Sequence, residues 1–388
     1  MHSDNVTGEI DSAVKRFIAG LECRLDKATE VSIKSNCVSM EDQNYKKKSM
    51  DIDVSEFIFR FTTDLIYSCF YKQDNLVDYM AQQDQHSMEV RVNLDEIDNP
   101  AFELTMTLPL LRPIVKFFIE HFHSYGKMKA KVIEFIKLQS ALNLEARREM
   151  SRAQREGKEV NKESFKLSDG RVFKQNMADG LIDSFHDGKL TEREYMHTSY
   201  FFLEAGISTL ATVIPELLYQ LARHPEVQDK LRESIMTAGI ESEYLGWCMN
   251  EILRLRSGIT VVFRETKRDL EVDGGVIPKG TNIIFPIYTI HRMPEYWGED
   301  ADQFKPERWE HADKFHPAQY MPFGGGRRVC PGKEVALSTM RRLTQEILLR
   351  YKVERCAMTS DSPLWTSPLF ILTKQENPVV LKVSKLET

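Results

Sequence analysis

The sequence predicts a mainly α-helical protein with small β-sheets, and three observations carry that class. The chain has 388 residues of which 42% are hydrophobic, enough to bury one large core. Apolar residues recur at helical spacing over seven stretches: 11–27, 54–71, 114–150, 176–185, 192–236, 243–256 and 332–351. Short β-branched runs bounded by polar turns are confined to 270–285 and 370–383. No internal repeat interrupts this pattern, and residues 1–388 are read as a single domain.

Taken in order, the first two stretches are plain amphipathic helices, and residues 150–170 are polar and charge-rich, which predicts a solvated loop after the third. The 192–236 stretch carries a glycine, Gly206, that costs about 1 kcal/mol against alanine inside a helix, and a proline, Pro215, that predicts a kink. In 243–256, Glu251 and Arg254 stand three apart and share one helix face. An isolated pair of that kind is ordinarily a surface ion pair worth under about 1 kcal/mol. The last helical stretch follows Gly332, with Ala336, Leu337, Met340, Leu343, Ile347 and Leu348 on its apolar face.

Net charge of -6 argues against a nucleic-acid binder. The six cysteines, Cys23, Cys37, Cys69, Cys248, Cys330 and Cys356, show no paired metal-site spacing, no secretory signal opens the chain, and a reducing compartment is expected. No run reaches the roughly 18 apolar residues needed to cross a bilayer. Residues 104–119 are apolar with basic interruptions and suit either a membrane-surface contact or a buried helix edge.

The most specific segment is Phe323-Gly324-Gly325-Gly326-Arg327-Arg328-Val329-Cys330-Pro331-Gly332. Glycines let the backbone turn tightly and approach a flat group closely. A helix starting just past the cysteine directs its N-terminal amides toward the sulfur and favours the thiolate. A thiolate held this way suits ligation of haem iron, and Arg328 has the fork geometry to hold a haem propionate. A cysteine between glycines and prolines is also compatible with a small apolar residue in a turn. A phosphate-binding loop is disfavoured, because no Gly-Lys-Ser/Thr follows.

The spacing F-x-x-G-x-R-x-C-x-G is met by Phe323, Gly326, Arg328, Cys330 and Gly332, and here the chain resembles the cytochrome P450 family. Glu251 and Arg254 resemble its E-x-x-R pair, and Pro306-Glu307-Arg308-Trp309 its P-E-R-[FW] segment. The resemblance implies a buried charge network of Glu251, Arg254 and Arg308. Ile277-Pro278-Lys279-Gly280-Thr281 is similar to a stretch of microsomal members, and His291-Arg292-Met293-Pro294 to H-R-D-P with Met293 in place of the acid. Ala205-Gly206-Ile207-Ser208-Thr209 resembles A-G-x-[D/E]-T, with Ser208 where an acid usually relays protons. A threonine such as Thr209 is also compatible with a hydroxyl bonded back to the preceding turn.

That resemblance implies haem b ligated by Cys330, with Arg328, Arg264, Phe323, Gly326, Gly332 and Ala205 around it and Thr209 with Ser208 managing protons. It implies a monooxygenase of the drug- and steroid-metabolising branch that inserts one atom of O2 into a lipophilic small molecule. Electrons would come from NADPH through an NADPH-cytochrome reductase, with cytochrome b5 as a second partner. Arg327, Arg328, Lys333, Arg341 and Arg342 would offer the reductase a basic surface. The implied location is the cytoplasmic face of the endoplasmic reticulum membrane rather than the mitochondrion. The same branch includes thromboxane synthase, so a peroxide isomerase is the alternative, and a degraded, non-catalytic haem binder is a third reading. The family's membrane anchor, first sheet and early helices are not recognisable, and the chain is read as N-terminally truncated relative to the family, with haem retention the property most exposed to that loss.

Overall fold

The computed structural model describes residues 2–34, 49–71, 124–161, 164–168, 170, 172–174, 177–360 and 377–387. Residues 104–119, read above as a membrane-surface contact or a buried helix edge, lie outside the described residues, as does Cys37.

The chain opens with α1 (His2–Lys34), crosses to β1 (Ser49–Asp53) and enters α2 (Val54–Tyr71). Asp53 starts α2 by accepting the otherwise unpaired amides of Ser55 at 3.0 Å and Glu56 at 3.2 Å through Oδ1. Next come α3 (Ser124–Arg155), a small hairpin of β2 (Ser164–Lys166) and β3 (Val172–Lys174), and α4 (Asp179–His186). The 150–170 region is therefore not one solvated loop: α3 continues through Arg155 before the strands begin.

The helix α5 (Glu192–Arg223) is the spine of the fold. It begins with a reciprocal cap, in which Glu194 N donates to Thr191 Oγ1 at 3.2 Å and Thr191 N donates to Glu194 Oε2 at 2.9 Å. By length and composition α5 alone among the described helices could cross a membrane, with mean hydropathy 1.5 over its most apolar window. Half of that window is buried against protein, which explains why the core needs it apolar. Leu210, Val213, Ile214 and Leu217 join α2 residues Ile58, Phe61 and Leu65 in the main core. Tyr195, Leu203 and Ile207 join Phe59, Ile66 and Phe70 in a second cluster.

The sequence predicted one helix over 192–236 with a kink at Pro215. Instead α5 runs through Pro215, and the break falls at His224, where φ is -121° and ψ is 73°. Pro225 explains the position, since its ring disfavours the helical conformation in the residue before it. A second helix, α6 (Pro225–Ala238), starts there. Buried Gln228 repairs the break: its Nε2 donates to Leu221 O at 3.0 Å and to Val353 O at 2.8 Å, while Oε1 accepts from Val353 N at 3.1 Å.

Beyond α6, α7 (Glu243–Leu255) is capped by Ser242 Oγ accepting from Leu245 N at 3.0 Å. The β-rich 270–285 region resolves into two ladders. The first pairs β4 (Val262–Glu265) with β7 (Asn282–Phe285), and the second joins β5 (Leu270–Val272) to β6 (Gly275–Ile277). Asp273 and Gly274 adopt φ of 50° and 78° between β5 and β6, the left-handed pair that a two-residue hairpin demands. Short helices α8 (Ile287–Ile290) and α9 (Pro294–Trp297) lead through a 3-10 segment, Pro306–Lys314, to the glycine-rich loop and α10 (Lys333–Arg350). Finally β8 (Tyr351–Arg355) and β9 (Val380–Lys385) complete an antiparallel sheet in the order β1-β9-β8. The core cluster thus runs from Ile10 in α1 to Val383 in β9.

Candidate functional site

The site rests on a charge network at the C-terminal half of α7. Glu251 and Arg254 are both wholly buried, so the surface-pair reading does not apply. The Glu251 carboxylate accepts from Arg254 Nε at 2.9 Å, Arg254 Nη2 at 2.9 Å, Arg308 Nε at 2.8 Å, the Lys305 amide at 3.0 Å and Trp309 Nε1 at 3.0 Å. Burying a carboxylate is tolerable only when its lone pairs and charge are satisfied this completely. The spare donors of the two arginines hold backbone: Arg254 reaches His291 O at 2.7 Å and Ala301 O at 2.6 Å, and Arg308 reaches Trp297 O at 3.1 Å and Asp300 O at 3.0 Å. The network is thus a clamp on residues 291–309, made of side chains that an E-x-x-R spacing names and backbone groups that it does not.

Glu307, beside Arg308, adds a second strut by accepting from Lys230 Nζ at 2.8 Å and Tyr244 OH at 2.7 Å. Trp297 and Trp309 pack with Phe315 and Tyr320 into a separate aromatic cluster, and Tyr320 OH donates to Asn250 at 3.2 Å. This carries the clamp to residue 320, at the threshold of the glycine-rich loop.

That loop turns at Gly324 and Gly326, whose φ values of 71° and 65° exclude most other residues without strain. The Cys330 amide donates to Phe323 O at 3.0 Å and closes it. Phe323 packs on the main core, while residues 325–331 are all exposed, Cys330 and Val329 among them. A side chain built at Gly332, the N-cap of α10, would sit 3.9 Å from the Cys330 sulfur, so the thiol lies at the positive end of that helix, as expected.

The donor set and the surface both fit haem. A cysteine is among the residues most often buried, yet this one stands exposed with Val329. On the side of Gly325 and Gly326 where a Cβ would point, no atom of the described residues lies within 4 Å. An open glycine face carrying a thiol and flanked by exposed Arg327 and Arg328 matches a flat, apolar, anionic group. Arg264, in β4, is half-buried and donates to the neighbouring Phe263 O at 2.8 Å, so it currently holds its own strand. Of the basic residues expected to form a partner surface, Arg341 donates to Ile240 O at 3.2 Å and Arg342 pairs with Asp11 at 3.3 Å, which narrows the exposed set to Arg327, Arg328 and Lys333.

On α5, Thr209 Oγ1 donates to Ala205 O at 2.8 Å and Ser208 Oγ donates to Glu204 O at 2.9 Å. Both hydroxyls are half-buried and retain lone pairs that can accept. The back-bonded reading of Thr209 therefore describes this state. Gly206 has a packing reason: an added Cβ would meet Ile66 Cδ1 at 2.8 Å. Gly258, just past α7, is closer still to the site, because a Cβ there would meet Thr209 Cβ at 2.9 Å and Thr209 Cα at 3.3 Å. Gly258 carries no signal in the sequence, since nothing in its neighbourhood announces a helix crossing.

The geometry is that of an exposed thiol on an open glycine loop, preceded in the chain by a segment held by a buried carboxylate and two arginines. The pattern of the family described as Cytochrome P450 matches residues 15–383, and the chain belongs to that family. It is 35% identical over 207 residues to Cytochrome P450 3A29 of Sus scrofa, covering 50% of this chain and 41% of that protein. It is 33% identical over 245 residues to Cytochrome P450 3A5 of Homo sapiens, covering 58% and 48%. It is 34% identical over 207 residues to lithocholate 6-beta-hydroxylase of Mesocricetus auratus, covering 50% and 41%. The chain spans less than half the length of each of these relatives.

Proposed function

We propose that the chain is a haem-dependent monooxygenase that inserts one atom of O2 into a lipophilic small molecule, with electrons from NADPH supplied through a reductase. The observation that carries this is Cys330, an exposed thiol at the N-terminus of α10 on an open glycine face. Bound haem would supply oxygen activation, which thiolate ligation favours by donating electron density to iron. The remaining tasks fall to protein groups. Cys330 would offer its sulfur to the iron beside the helix terminus; Phe323, Gly326 and Gly332 shape the loop; Arg328, with Arg264 once released from Phe263 O, takes the propionates. Thr209 and Ser208 accept and pass protons through their free lone pairs, beside the half-buried Ala205. Exposed Arg327, Arg328 and Lys333 attract an acidic reductase, or cytochrome b5, by long-range charge. We read residues 1–388 as one domain, because a single core cluster joins α1 to β9. Similarity to lithocholate 6-beta-hydroxylase supports a steroid-like substrate, and the location we propose is the endoplasmic reticulum membrane.

The test is the difference spectrum of the reduced, carbon-monoxide-bound full chain reconstituted with haem. A red-shifted Soret band that Cys330→Ala abolishes, at unchanged folding, is the expected result. Its absence from the parent chain overturns the proposal. Ser208 favours a second reading, because it stands where a monooxygenase of this family would carry an acidic proton relay, and a peroxide isomerase needs none. Rapid rearrangement of an organic peroxide without NADPH or reductase would select that reading instead.

A further inference from the structure

His291 is wholly buried, and each of its ring nitrogens has a backbone partner. Met321 N donates to Nε2 at 3.0 Å, so Nε2 is the acceptor and the ring proton resides on Nδ1. Nδ1 then donates to Arg254 O at 3.2 Å. The backbone of the same residue is held too, since Arg254 Nη1 donates to His291 O at 2.7 Å. His291 therefore touches Arg254 twice and Met321 once. Met321 lies two residues before Phe323, whose carbonyl accepts the Cys330 amide, and Gly324 N donates to Met321 O at 2.9 Å.

Burial and the nearby arginines lower the ring's pKa to about 3, so the imidazole stays neutral and Nε2 keeps its lone pair across ordinary working pH. A protonated ring would present two donors, and the Met321 amide would lose its acceptor. The Tyr320 ring packs beside the imidazole, with centroids 5.4 Å apart and the planes tilted by 31°.

We infer that His291 is a positioning residue that transmits the Glu251–Arg254–Arg308 clamp to the cysteine loop, setting where Phe323 O and hence Cys330 stand. The inference rests on the haem-thiolate reading for its consequence, though not for its geometry. No other side chain among those described bonds both to the clamp and to the loop's first residues through one rigid ring.

Two amide substitutions separate the ring's two bonds. In His291→Gln the amide reaches the Nε2 position and can accept from Met321; in His291→Asn it reaches only the Nδ1 position and can donate to Arg254 O. Hydrogen exchange of the Met321 amide in the full chain without haem is the first measurement. It is expected to quicken ~10-fold or more in His291→Asn, the effect of removing the acceptor from a buried donor, and to stay within about threefold of the parent in His291→Gln. The second measurement, with haem, is the fraction of carbon-monoxide complex in the red-shifted thiolate band. It is expected to fall at least ~2-fold in Asn at unchanged haem content and to recover in Gln, a split that general destabilisation would not produce. Equal exchange in the two variants overturns the tie itself. Unequal exchange with equal spectra overturns its role in setting Cys330. If the parent chain shows no thiolate band, the haem reading fails while the exchange result still decides whether the tie exists.

Discussion

Replacing Glu251 by glutamine is the sharpest test of the clamp, because it preserves shape and removes only charge and accepting power. Five donors converge on that carboxylate, three on Oε1 and two on Oε2. Wherever the amide nitrogen settles, at least two donors face another donor, buried Arg254 loses its countercharge, and Arg308 keeps only Asp300 at 3.3 Å. Stranding two buried donors at about 1–3 kcal/mol each gives about 2–6 kcal/mol. Breaking a buried ion pair by one partner independently gives about 3–5 kcal/mol, so we expect a loss near 4 kcal/mol. The Glu265–Lys267 pair supplies a control, because its N–O distance is the same 2.9 Å while both side chains are more than half exposed. Glu265→Gln should therefore be close to neutral. Urea unfolding of the full chain, followed by circular dichroism, reads both variants as midpoint shifts at constant slope. A Glu251→Gln loss under about 1 kcal/mol, indistinguishable from the control, would refute the argument that burial makes this pair different.

Three further outcomes are expected. Gly258→Ala should destabilise by about 1–3 kcal/mol, more than Gly206→Ala, because its Cβ meets Thr209 at Cβ and Cα, atoms the helix backbone fixes, whereas the nearest atom to the Gly206 Cβ is Ile66 Cδ1, the movable end of that side chain. The Gly206→Ala cost should shrink when combined with Ile66→Ala; additive unfolding energies would contradict the contact. For pH, the His291 pKa lies at about 3 in the folded chain against 6.5 unfolded, so unfolding takes up a proton between those values. This contribution to stability is intact above the unfolded value and drains away as pH falls toward the folded one. His291→Gln should flatten that part of the stability profile, and an unchanged slope would reject the buried neutral ring. Finally, in a reconstituted system with NADPH and reductase, Ser208→Asp should raise the fraction of NADPH oxidation that ends in product. No gain over the parent would show that the acid missing from this position costs nothing.

What the sequence made legible follows the reach of its rules. Helix existence was readable from periodicity, and the glycine-rich loop from five residues whose spacing leaves few alternatives. The misplaced break in 192–236 had a local cause that the sequence did contain, Pro225, although by local rules an interior proline such as Pro215 is the stronger breaker. What decided between them was tertiary: Gln228 supplies substitute bonds at the true break, and its partner Val353 lies in a distant strand. The same limit applies to Glu251. Its spacing to Arg254 was visible, whereas its burial was not, and burial turns an ordinary surface motif into a clamp. His291 was visible only as part of a motif, since both of its ring partners are backbone atoms that carry no residue signature.

These observations assign the two ends of one helix terminus to the two halves of the site. From Arg254, the path runs through His291 to Met321 and the cysteine loop. Four residues later, Gly258 lies against Thr209 so closely that no side chain fits between them. The C-terminus of α7 thus sets the cysteine loop on one side and the hydroxyl-bearing turn of α5 on the other. A loop and a helical turn positioned independently would be free to drift relative to each other. Referring both to the helix end that carries Glu251, wholly buried and fivefold bonded, removes that freedom, because moving either half requires displacing Arg254 from its ion pair with Glu251.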